Sequence, residues 1–388
     1  MPRLLSLLPL FILSLANITL ASNSCIAFDI SWNLLAFGFS GKDYNAGTQD
    51  TWTSSGNPTD ITTQGRPPFD GANTTCYLSQ FTNAIYVLGA DSAKPSSIYI
   101  YDATAKSWST QDVSTDAGID PTNFAAILDH DTNVFYAYSK GELFSLDMEL
   151  LKAASSSSKS WNDVQKLAFD TDGYKPVMAL AQNHIHFLGV PGLPDGSAQI
   201  FVIHFSFLQP EPQSYGNFPN THGQVTSLFQ EQGVQQEFAF IPDDGSATYV
   251  INVETNTTQT LKGPTVKDPF ASYFASVDSI VQLSSSGSVA YLSYNVNSSS
   301  ANSAATWNVI SKLPVASTTS TGSTGNGSSS TGSSNSGSSN IGSSGSPTST
   351  GNAQSSSTGS SNSALSIQSQ GLFMAAMLLI IVVVSQST

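Results

Sequence analysis

The chain has 388 residues, only 10% of them charged, and 13 Lys and Arg face 27 Asp and Glu. Loss of a leader carrying Arg3 leaves 12 basic residues, a net charge of −15, and Arg66 as the only arginine. So anionic a surface, with one guanidinium fork, cannot neutralise a run of phosphates, which argues against nucleic acid and anionic membrane surfaces as partners.

Met1-Pro2-Arg3 is followed by a leucine-rich run from Leu4 to Leu15 and by Thr19-Leu20-Ala21, small residues where a signal peptidase needs them. Residues 1–21 are therefore expected to be a signal peptide cleaved after Ala21. The run is shorter than the ~20 residues of a spanning helix, and polar residues follow at once.

Residues 22–315 carry an internal repeat. Cys25-Ile-Ala-Phe-Asp-Ile-Ser-Trp-Asn-Leu34-Leu-Ala-Phe-Gly38-Phe lies without a gap over Cys76-Tyr-Leu-Ser-Gln-Phe-Thr-Asn-Ala-Ile85-Tyr-Val-Leu-Gly89-Ala. The apolar strand recurs at Val134–Tyr138, Ile185–Gly189, Phe238–Ile241 and Val289–Leu292, with successive offsets of 51, 49, 51, 53 and 51. Six units of about 50 residues result. Within a unit, short runs of Val, Ile, Tyr and Phe alternate with turn clusters such as Pro194-Asp-Gly196, and no long helical period occurs. In the second unit the predicted strands are Cys76–Phe81, Ile85–Leu88, Ile98–Tyr101 and one around Trp108. A four-stranded sheet repeated at this period is a propeller blade, so the expected fold is all-β, a six-bladed β-propeller. Seven blades, or a pair of β-sandwiches, are the alternatives.

Ile85-Tyr-Val-Leu-Gly89-Ala90, then Ile98-Tyr-Ile-Tyr101-Asp102 and Trp108, resembles a unit of the kelch and galactose-oxidase-type propellers. Tyr101 and Trp108 keep the family's spacing, and Ala90 stands where the second glycine is usual. Leu146-Asp147 with Trp161, and Ile251 to Leu261, match more loosely. The resemblance implies the fold and leaves function open, because propellers host unrelated activities. Galactose oxidase would imply a copper radical site whose cross-linked Tyr-Cys pair needs a spare cysteine. Here Cys25 and Cys76 are an even pair in an oxidising compartment, at equivalent places in neighbouring units, and a disulfide is expected between them.

Local motifs for chemistry are few. His184 and His186 share one face of a strand and could offer two nitrogens to a metal, but no third ligand follows by spacing, so no metal or other cofactor is expected. Asp129-His-Asp-Thr-Asn133 begins like a calcium loop, yet Val134 and Lys140 stand where glycine and glutamate are needed, so it reads as a hairpin turn. Asp170-x-Asp172-Gly173 also lacks its glutamate. No Gly-x-Ser-x-Gly elbow and no phosphate-binding glycine loop is present. Two long connections remain: Ser40–Thr75 with Tyr44, Trp52 and Phe69, and Gln209–Gly223 with Tyr215, Phe218 and His222. Aromatics beside amides can stack on sugar rings, so Tyr44, Trp52, Phe69, Tyr215 and Phe218 are the candidate ligand contacts, with wedging of loops onto blades as the alternative role.

Residues 316–370 are almost wholly Ser, Thr, Gly and Asn, cannot repay chain entropy by burial, and are expected to form a disordered stalk. Asn73, Asn256, Asn297 and Asn326 head Asn-x-Ser/Thr acceptors. The tail 371–388 opens with an apolar run, Gly371 to Val384, behind small residues, the order of a glycosylphosphatidylinositol (GPI) signal with Asn362 or Gly359 as the attachment residue. The run has 14 residues and no Lys or Arg behind it, unlike a spanning helix. Together these features point to a protein displayed on a membrane or wall that binds a glycan or protein through its loops. A secreted carbohydrate-active enzyme or oxidase and a structural wall component are the rival classes, and bound-metal analysis with a glycan array separates them.

Overall fold

Continuous apolar runs such as Leu34–Phe39 and Ala84–Leu88 are buried on both faces, which a lone hairpin cannot achieve, so the strands stack as sheets. The computed structural model describes residues 23–71 and 73–316. The chain divides into Met1–Ser323 and Thr324–Thr388, and Asn326, Gly359, Asn362 and the apolar tail run lie outside the described residues. Among the described residues no helix is long and apolar enough to cross a membrane.

Blade 1 comprises β1 (Cys25–Phe28), β2 (Leu34–Phe39), β3 (Lys42–Asn45) and β4 (Thr59–Asp60). Blade 2 comprises β5 (Thr75–Ser79), β6 (Ala84–Leu88), β7 (Ile98–Asp102) and β8 (Ser107–Gln111). A short β9 (Val113–Ser114) follows. Blade 3 holds β10 (Ala125–Asp129), β11 (Val134–Ser139) and β12 (Glu142–Asp147), then β13 (Lys159–Ser160), which pairs parallel with β9, and β14 (Asn162–Lys166) as its outer strand. Blade 4 is β15 (Val177–Ala181), β16 (His184–Leu188), β17 (Ser197–Val202) and β18 (Phe207–Leu208), with β19 (Gln213–Ser214) also on β17. Blade 5 is β20 (Gly223–Ser227), β21 (Glu237–Pro242), β22 (Ala247–Asn252) and β23 (Thr257–Lys262). Blade 6 is β24 (Ser272–Ala275), β25 (Ser279–Leu283), β26 (Val289–Ser293) and β27 (Asn308–Val309), with α1 (Ser299–Ala304) inserted before β27. The fold is a six-bladed, all-β propeller. Strands β1, β5, β10, β15, β20 and β24 are innermost and neighbour one another in that order, β24 returning to β1.

The strand periodicity holds in five units and fails in the sixth. Val289–Leu292 lies in β26, the third strand of its blade, and the second-strand equivalent is β25. Both are apolar, and the long connection 228–236 had already pushed β21 late, so a constant offset landed on the wrong one of two similar runs. The tight turns between first and second strands share a left-handed residue: Trp32, Asn83, Asn133 and Asn183 have φ of 57°, 53°, 58° and 57°. Three are asparagine, whose short polar side chain tolerates that region. Asp129-His-Asp-Thr-Asn133 is such a turn, as expected.

The segment Ser40–Thr75, read from sequence as one connection, contains β3 and β4, the outer half of blade 1. Its buried aromatic, Trp52, is fully enclosed, donates Nε1–H to the Gly47 carbonyl (2.8 Å), and sets its ring edge-on to Tyr291 of blade 6 at 4.9 Å. The ring closes by this packing, because blade 1 and blade 6 each consist of consecutive strands and exchange none. Beyond β27, Ile310, Leu313 and Ala316 join the same apolar cluster, and Lys312 N–H reaches the Trp52 carbonyl at 3.3 Å.

Cys25 and Cys76 form a disulfide with Cα atoms 5.7 Å apart. It ties β1 to β5, the innermost strands of neighbouring blades.

Candidate functional site

The innermost strand of each blade has one ladder partner, so its free edge faces the axis. Six such edges enclose a cavity of about 330 Å³. Its polar lining includes Thr74, Thr75, Gln224, Thr226, Ser227 and Ser272, and its apolar lining includes Ile127, Met178, Val225 and Phe274. Several lining groups are tied across the gaps between inner strands. Ser227 Oγ–H donates to the Leu180 carbonyl at 2.6 Å, Thr226 Oγ1 accepts from Ala275 N–H at 3.0 Å, and the Tyr77 hydroxyl donates to the Ala126 carbonyl at 2.9 Å. These bonds occupy edge groups that would otherwise stand unpaired in a mostly apolar space.

At the end of the axis where the first-to-second-strand hairpins lie, rings from four blades meet. Phe229 lies 4.4 Å from His130, 5.5 Å from Trp32 and 6.1 Å from Phe274 between ring centroids. At the opposite end, Asn73, Pro121, Thr122 and Pro176 stand around the cavity, and Asn73 and Thr122 are exposed. Among the described residues no Asp, Glu, Lys or Arg lines the cavity. Its one titratable imidazole, His130, is pushed down to about 4 by burial.

A second cavity, about 210 Å³, lies between blades 4 and 5 and is lined by Gln182, His184, His186, Gln209, Gln213, Tyr215 and Asn256 with Ile200 and Val253. His184 and His186 do share a face, as the strand period requires, with ring centroids 6.4 Å apart. Among the described residues no group of three or more His, Cys, Asp and Glu is placed to hold a metal. His184 Nδ1–H donates to the Gln182 carbonyl at 2.5 Å, and His186 Nε2 lies 3.0 Å from the Tyr215 hydroxyl. Burial lowers the pKa of both imidazoles, that of His186 to about 3.

These shifts carry a sign. An unfolded imidazole titrates near 6.5, so as pH falls the unfolded chain takes up protons that His130 and His186 refuse while folded. Their contribution is present above pH ~6.5 and is lost on the way down to their folded values, on the order of 3 kcal/mol each by pH ~4. Asp129, whose carboxyl burial pushes upward, opposes the loss. Urea midpoints should fall between pH 7 and 4.5, and an unchanged midpoint would mean that the imidazoles are solvated.

The five aromatics expected to contact ligand are mostly enclosed by the blades. Trp52, Phe69, Tyr215 and Phe218 are buried and Tyr44 is half-buried. Blades diverge from the axis like wedges, and the rings fill the gaps. Trp52 sits between blades 6 and 1, Phe69 against Trp108 of blade 2 at 6.4 Å, and Phe218 against Phe240 of blade 5 at 6.0 Å. Only Tyr215 also reaches a cavity, the second one. Large exposed rings occur instead at Phe81, Phe205, Phe207 and Phe270, 50% to 78% exposed. The axial cavity had no motif to announce it, since its lining comes from six strands about 50 residues apart. Knowing which strand of each unit is innermost is what exposes it.

No protein-family model matches the chain, and no curated protein matches it. Among solved structures, the chain is similar to one from the crystal structure of a nidogen/laminin complex, with 11% identity and a TM-score of 0.39 over 61% of this chain and 79% of that one.

Proposed function

We propose that the protein is a secreted, GPI-anchored, kelch-like propeller, held off a cell or wall surface by residues 316–370, that binds a neutral glycan in its axial cavity. The uncharged, hydroxyl- and amide-bearing lining of that cavity carries the reading. Apolar faces beside small hydroxyl side chains suit a sugar ring, which presents C–H on its faces and hydroxyls at its rim. The kelch-like part is supported by Tyr101 and Trp108, which keep the family's spacing and are cross-strand partners with rings 5.0 Å apart. Exposure of Asn73, Asn256 and Asn297 is compatible with glycosylation in a secretory pathway.

A glycan array should show binding to neutral oligosaccharides. The Thr122→Trp variant, which places a large ring at the exposed Thr122 of the cavity rim, should lose it while keeping its melting temperature near that of the parent. Preference for acidic glycans, or undiminished binding by the variant, would count against the cavity. Anchorage is tested separately: truncation after Ser361 should release the protein into the medium, and a truncated protein that stays cell-bound refutes the anchor.

A further inference from the structure

We propose that the cavity between blades 4 and 5 is the seat of the first N-acetylglucosamine of a glycan carried by Asn256. The inference rests on the secretory reading above and adds a built site to it. Asn256 is exposed at the turn between β22 and β23, heads Asn256-Thr257-Thr258, and also lines the cavity. Gln213 of blade 4 donates Nε2–H to Asn256 Oδ1 at 3.1 Å, which fixes the carboxamide. Its Nδ2, where the glycosidic bond forms, makes no hydrogen bond among the described residues.

The wall beside it has the chemistry of a monosaccharide site. Gln182, Gln209 and Gln213 offer donors and acceptors to hydroxyl and acetamido groups, and Val253 and Ile200 offer apolar surface to a methyl or a ring face. His186 is 2% exposed, and its Nε2 lies 3.0 Å from the Tyr215 hydroxyl, which fixes the Tyr215 ring in the cavity wall. Among the described residues no Asp, Glu, Lys or Arg lines the cavity, which is compatible with a neutral sugar. Seating the sugar would tether the outer hairpin of blade 5 to blade 4.

The test uses the full chain secreted from a glycosylating host behind a foreign leader, so that failure of the chain's own leader does not decide the result. Glycopeptide mapping should find Asn256 occupied. In the native protein, peptide N-glycosidase should release the Asn256 glycan about tenfold more slowly than the one at Asn297, the protection given by a seated state populated ten to one. After denaturation the two rates should be equal. Gln213→Ala, at an exposed position, and His184→Ala should bring the native Asn256 rate to that of Asn297. An unmodified Asn256, or equal native rates in the parent, overturns the seat. Occupied Asn256 with a silent glycan array would overturn the axial-cavity reading alone.

Discussion

Arg66→Ala is expected to destabilise the protein by about 3 kcal/mol, the low end of what breaking a buried ion pair costs, because the Asp43 carboxylate would be left with no counter-charge. Asp43 is fully buried on β3. Arg66 clamps it from the loop after β4, with Nε to Oδ2 at 2.8 Å and Nη2 to Oδ1 at 2.6 Å, and Nη1 reaches the Gly41 carbonyl at 3.0 Å. The guanidinium also lies 4.8 Å from the centre of the Phe69 ring, which packs on blade 2. Lysine cannot supply the fork, so Arg66→Lys should recover little. Removing both partners in Asp43→Ala/Arg66→Ala should cost less than the sum of the single changes, since no buried charge is stranded. Urea denaturation of the four proteins measures the coupling, and strict additivity would mean that the pair holds nothing.

Cys76→Ser should cost a similar amount. The disulfide closes a loop with a sequence separation of 51, for which chain entropy gives about 4 kcal/mol. The effect should be concentrated where blade 1 meets blade 2, since blade 1 borrows no strand from elsewhere and is held there by the bridge, the Arg66 clamp and apolar packing. Hydrogen exchange of β1 and β2 should accelerate in the variant more than that of β21 and β22. Equal acceleration throughout would show that the bridge acts only through the unfolded chain.

The architecture was legible because each blade repeats an apolar strand that must be buried on both faces, and burial on both faces leaves a run visible in sequence. Cys25 and Cys76 were legible as a pair because they occupy equivalent places in adjacent repeats. Blade 6 was misregistered because Ile280 and Leu292 lie in equally apolar neighbouring strands, so periodicity alone cannot rank them. The burial of the loop aromatics was not legible for a physical reason: a ring among Gly, Asn and Asp reads the same whether it faces solvent or wedges two blades. Trp52 and Phe218 show the second outcome. The Asp43–Arg66 clamp could be suspected only from Arg66 being the single arginine of the folded region, since no spacing rule joins positions 23 residues apart.

Because each blade draws its strands from one stretch of chain, with β9 and β13 paired beside blade 3, and the ring closes by side-chain packing, no strand waits for the opposite end of the chain to complete its sheet. Each blade can finish its hydrogen-bond ladder as it leaves the ribosome. The first and last described stretches of the chain meet at the seam between blades 6 and 1, where Ser40 Oγ–H donates to the Val315 carbonyl at 3.3 Å. A circular permutant joined across that seam and opened at the exposed Lys267, between β23 of blade 5 and β24 of blade 6, would keep every sheet whole. Evolution has the same freedom: duplicating or deleting one unit changes the size of the ring without asking any strand to find a new partner.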